Sequence, residues 1–210
     1  MKIADELRLS RGVVRPRFVS VTTGDEVEFS DRHNTLSFMA AEAVASAFGG
    51  DPSYIPAKVG IIYGDKPSMP TESVIGRSQS WDALKDELGS SSGDASVDVQ
   101  VVNFSYAPTL GPEPDSSSSG DSGDGGDYSN ILPGGSNAIT FHAVSNSQDA
   151  GAMFNTEAFS SGSYIYQCLL LGYHDGKYYI IARASLKEGD RYLQKPDGFE
   201  VALDWTVVFH

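Results

Sequence analysis

The chain has 210 residues and a mass of 22.4 kDa, with 15 lysines and arginines against 28 aspartates and glutamates, for a formal net charge of -13. That length suits one domain with a real core, and a pI near 4.5 argues against a nucleic-acid or anionic-membrane binder, which needs a basic surface. The lone Cys168 excludes an intrachain disulfide and a cysteine-rich zinc site. With no run of about 18 apolar residues and no basic leader followed by an apolar stretch, neither a membrane span nor a secretory signal is expected.

In chain order, residues 1–17 read as a basic N-terminal arm, because Lys2, Arg8, Arg11, Arg15 and Arg17 outnumber Asp5 and Glu6. A single β-rich domain is expected over 18–210. Strands are predicted over 13–21 and 26–29. A helix follows over 35–48, where Leu36, Met39, Ala40, Ala43, Val44, Ala47 and Phe48 repeat at the spacing of one apolar helix face. Asp31 or Asn34 is the expected N-cap, and Gly49-Gly50 the left-handed stop. After a strand over 58–63, a short helix is predicted over 81–88 with Ser80 as cap and Gly89 beyond its last turn.

From Val97 to Val101 apolar residues fall on odd positions, then shift to Val102, Phe104 and Tyr106. That shift predicts a β-bulge or a strand crossing between two packing faces. The tract 111–130 carries five of the net negative charges, no basic residue and almost nothing to bury. It is expected to be a disordered acidic insertion. Strands over 138–144, 164–173 and 177–185 come next, the last two flanking Asp175-Gly176, a hairpin signal. Phe199, Val201, Leu203, Trp205, Val207 and Phe209 alternate with Glu200, Asp204, Thr206 and His210, which predicts a final strand. Roughly eight strands and one long helix point to a mainly β architecture, a β-sandwich or jelly-roll-like fold with a helix packed on it.

No catalytic constellation emerges. His33, His142, His174 and His210 form no ligand or base motif, and read as surface or capping groups. Ser91 sits in a G-x-S-x-G match, but a helix precedes it and a strand follows, the reverse of a nucleophile elbow. Asp121, Asp124 and Asp127 lack the alternate spacing and terminal glutamate of a calcium loop. No phosphate-cradling loop occurs. Neither cofactor nor metal is expected, and the chain reads as non-enzymatic. Tyrosines concentrate at the hairpin, where Tyr164, Tyr166 and Tyr178 fit either a core and subunit interface or a ligand-binding face.

The runs Leu7–Val14, Asp31–Phe38 and Leu203–Phe209 resemble bacteriophage structural proteins in general style. The resemblance implies a virion component of tail, neck, baseplate, capsid-decorating or fibre type, made in the bacterial cytoplasm. Its partners would be copies of itself and other virion proteins, without direct nucleic acid or membrane contact. Arg8, Arg11, Arg15, Arg17, Trp205 and Phe209 are the expected assembly residues, through arm docking and strand pairing within or between subunits. The alternative is a carbohydrate- or receptor-binding sandwich that uses the hairpin 164–179 against a host-surface glycan.

Overall fold

Period-two alternation dominates the chain, and the computed structural model describes residues 11–50, 55–67, 97–111, 138–145 and 162–208. Its elements are β1 (Arg11–Ser20), β2 (Glu26–Glu28), β3 (Arg32–His33), β4 (Thr35–Leu36), α1 (Phe38–Phe48), β5 (Pro56–Gly64), β6 (Val97–Asn103), β7 (Thr109–Gly111), β8 (Ala138–Ser145), β9 (Tyr164–His174), β10 (Lys177–Ser185), β11 (Lys187–Glu188), β12 (Arg191–Gln194) and β13 (Phe199–Val208). Eight of these strands have four residues or more, and the other five have two or three. The helix expected over 81–88, and the 111–130 insertion apart from Gly111, lie outside the described residues.

Two antiparallel sheets make a mainly β sandwich. The first runs β2-β1-β13-β8-β7, with β3 also on β1. In β1 the even residues Gly12, Val14, Pro16 and Phe18 are buried while Arg15 and Arg17 face outward. This alternation is half hidden in the sequence by the arginines. The strand pairs with β13 from Arg11↔Val208 to Ser20↔Phe199. Residues 11–17 are therefore sheet rather than arm. Because β1 and β8 occupy both edges of β13, that strand pairs within its own chain.

In the second sheet β9 is central. It pairs with β5 along one edge and with β10 and then β12 along the other; β6, β4 and β11 lie outside β5, β10 and β12. Asp175 (φ 49°) and Gly176 (φ 78°) both take positive φ, as a tight type I′ hairpin requires. The parity shift after Val101 is a crossing: β6 keeps an unbroken register with β5, and Phe104 then bridges Ala143 of β8 in the other sheet.

One buried cluster lies between the sheets, with Val14, Phe141, Leu203 and Trp205 meeting Ile61, Ile165, Leu170 and Ala182. A second, made of Ile62, Val97, Val99, Tyr166, Leu169, Leu171, Ile180 and Tyr192, uses the opposite face of the second sheet. Burial on both faces is why β9 reads as a nearly continuous apolar run.

The helix starts three residues later than its periodicity predicts. Thr35 and Leu36 pair with Arg183 and Ala182 of β10, so Ser37 becomes the N-cap, its hydroxyl accepting the Met39 N–H at 3.2 Å. Asp31, one expected cap, is held by Arg15 instead. Gly50, at φ 74°, provides the left-handed stop.

Candidate functional site

Helix α1 lies across one end of the sandwich over a cavity of about 460 Å³. Ala40, Ala43, Val44, Ala47 and Phe48 of α1 line it together with Leu36, Ile55, Pro56 and Pro108. Ile139, Phe141 and Val207 complete the wall from the first sheet, and Leu170 and Ile181 from the second. All fourteen residues are apolar. The lining side chains offer no acid, base or hydrogen-bonding group, so the space suits hydrocarbon and nothing charged.

The helix itself is unusual for a surface element. Glu42 is its one charged residue. Ala41, Ala45 and Ala47 are exposed beside Glu42, and Phe48 is 81% exposed at the end of the cavity, with Ile55 at 42%. A helix with so few polar residues is normally partly covered, and an exposed apolar patch of this kind marks a contact site.

A polar row crosses the outer face of the first sheet. Asp204 on β13 accepts from Arg17 Nη2 on β1 at 2.7 Å with one oxygen, and from His142 Nδ1 on β8 at 2.7 Å with the other. Thr109 Oγ1 lies 3.3 Å from His142 Nε2, and the Tyr106 ring stacks on the imidazole with centroids 4.3 Å apart. Hydroxyl, imidazole and carboxylate thus stand in the order of a nucleophile–base–acid row. Their placement has a simpler origin. Asp204↔His142 and Thr109↔Thr140 are direct cross-strand partners on the outward side of the sheet. The cavity opens on its inward side, through Ile139, Phe141 and Val207. A hydrolytic site needs preorganised donors in a space shielded from water; this row is a cross-strand ladder tying four strands together.

The expected interface residues separate. Arg8 and Phe209 lie outside the described residues, and Arg11 is the first residue of β1. Arg15 donates twice to Asp31, at 2.9 and 3.1 Å, and this contact raises its pKa above the ordinary guanidinium value. Arg17 also holds Glu26 at 3.0 Å. The two arginines are thus matched by acids of their own chain. Trp205 is 0% exposed between the sheets, a core residue rather than a surface contact.

The tyrosines divide too. Tyr166 is fully buried; its hydroxyl donates to the Lys66 carbonyl at 2.8 Å and accepts the Lys66 N–H at 3.3 Å. Burial pushes its pKa up, with the Lys66 backbone contact working against that. It is therefore removed from any ligand-binding face. Tyr164 and Tyr178 are half-buried, and Tyr178 packs against the exposed Tyr173 with centroids 5.1 Å apart. Cys168 is buried, and burial raises its thiol pKa well above the usual range, so it is an inert core thiol.

Sequence reading did not single out the cavity, whose walls come from widely separated segments. One signal was available: an eleven-residue helix with a single charge. Among the described residues no group of histidine, cysteine and carboxylates is placed to hold a metal, and no helix is long and apolar enough to cross a membrane. Compared with protein-family models, curated proteins and solved structures, the chain matches none.

Proposed function

We propose that this chain is a non-enzymatic assembly module, a structural component of a bacteriophage particle that works through contacts with copies of itself and with other virion proteins. The carrying observation is the apolar end of the sandwich, where the nearly charge-free α1 exposes Phe48 at 81% beside an all-apolar cavity. Such a surface supports association and offers no chemistry. The resemblance to phage structural proteins supplies the setting. Light scattering over a range of concentrations tests the reading: the chain should self-associate, and Phe48→Asp should weaken association without altering the circular dichroism spectrum. A chain that stays monomeric throughout, including at high salt where its like charges are screened, would remove the self-assembly part.

A second reading has one observation in its favour. Tyr173 is 48% exposed against Tyr178, and Lys58 Nζ sits 6.0 Å from the Tyr178 ring centroid, a surface that suits stacking on a sugar. Binding on a glycan array that disappears in Tyr173→Ala and Tyr178→Ala would support it, and a silent array would count against it.

A further inference from the structure

The cavity under α1 and the residues preceding β1 have complementary chemistry. β1 begins at the cavity end of the sandwich: Gly12 registers with Val207, a cavity residue, and Leu36, another, follows β3, which pairs with Val13 and Val14. Residues 1–10, outside the described residues, read Met-Lys-Ile-Ala-Asp-Glu-Leu-Arg-Leu-Ser. Met1, Ile3, Leu7 and Leu9 fall on odd positions, a period-two pattern interrupted by Asp5. Lys2 and Arg8 balance Asp5 and Glu6, so this segment adds no net charge when it meets an acidic body. A cavity of about 460 Å³ falls within the range of about 300–1,000 Å³ that seats ligand-sized apolar groups.

Parity decides whose cavity is served. In β1 the inward residues are even, Gly12, Val14, Pro16 and Phe18, so a direct continuation of the strand would turn odd residues away from the chain's own inter-sheet space. Folding straight back would need a reversal before Arg11, where Ser10 is the single turn-forming residue in the stretch 6–11. We infer that the cavity beneath α1 is the acceptor for residues 1–10 of a neighbouring copy, with Leu7 and Leu9 as the inserted side chains. This deepens the assembly reading and rests on it.

The test uses the full chain in sedimentation equilibrium, with Leu7→Asp/Leu9→Asp and Val44→Trp variants and a synthetic peptide of residues 1–10. Two buried leucines imply that the Leu7→Asp/Leu9→Asp change weakens self-association by about 100-fold or more, with the spectrum of the folded body unchanged. Val44→Trp, which fills the cavity from α1, should do the same, and the peptide should dissociate the wild-type oligomer. Should Val44→Trp fail to fold, the peptide competition still decides. Oligomers that survive both the leucine changes and the peptide overturn the arm insertion while leaving the assembly reading intact. A wild-type chain that is monomeric at every concentration removes both.

Discussion

Asn34 packs directly over Gly12, in the space a side chain there would need: a Cβ built on Gly12 would lie 1.9 Å from Asn34 Nδ2. The Asn34 backbone N–H donates to the Gly12 carbonyl at 2.9 Å, joining the turn after β3 to the start of β1. Gly12→Ala should displace the Asn34 side chain and destabilise the fold by about 1–3 kcal/mol. Thermal melts check this, and Asn34→Gly in the same chain should recover part of the loss. A Gly12→Ala protein that melts like wild type would show that the side chain moves aside freely.

Asp204 is the hub of the outer ladder because two strands reach it. Asp204→Asn removes the charge that Arg17 and His142 share, and the groups are only partly shielded from water, so a loss of about 1–2 kcal/mol is expected. Thr109→Ala touches the end of the row and should change the melting temperature little. Neither change should alter ester hydrolysis, since the row is read as structural. Turnover that depends on Thr109 would reverse that assignment.

Trp205 is sealed between the sheets, and its indole N–H has no hydrogen-bond partner among the described residues. Trp205→Ala should cost about 3–5 kcal/mol through the space it leaves. Trp205→Phe should cost clearly less, because it keeps an aromatic body and removes an unpaired donor. Denaturant midpoints for the two variants give the comparison. Equal losses would contradict both the retained packing of the phenyl ring and the removal of an unpaired donor.

Alkaline pH should weaken the protein. Tyr63, Tyr166 and Cys168 all have pKa values raised in the fold, chiefly by burial, from ordinary values of 10.0 for tyrosine and 9.0 for cysteine. A raised pKa means the folded state holds its proton more tightly, so this stability is complete below the ordinary value and is lost as pH climbs toward the folded one. Lys195, lowered by burial, works in the opposite sense as pH rises toward 10.5. Melting temperature should therefore fall above about pH 9, and Cys168→Ala should flatten the earliest part of the decline. A melting temperature that holds steady to pH 11 would contradict the burial of these three groups.

Legibility followed the range of the interactions. The hairpin at Asp175-Gly176 and the alternation of β13 were readable because adjacent residues set them. The shift after Val101 correctly anticipated a crossing as one of two options. The helix start was misplaced because Leu36 continues the helical spacing but is claimed by β10, a partner almost 150 residues away. The arm boundary failed for a similar reason: Arg15 and Arg17 look like a basic tail until Asp31, Glu26 and Asp204 are brought beside them. The cavity depends on Leu36, Pro56, Pro108, Leu170 and Val207 meeting at one end, and such a convergence leaves no local trace.

The ten-residue pairing of β1 with β13 joins Arg11 to Val208. During synthesis, β1 must wait for nearly all the described chain to leave the ribosome before it gains this partner. Closure over so long a separation is slow, whereas β9, β10 and β5 can pair earlier. The nascent chain should thus pass through a stage with the second sheet formed and β1 paired only with β2 and β3, its β13 edge still open to whatever lies nearby. That interval is when another chain can most readily take the place that β13 later fills.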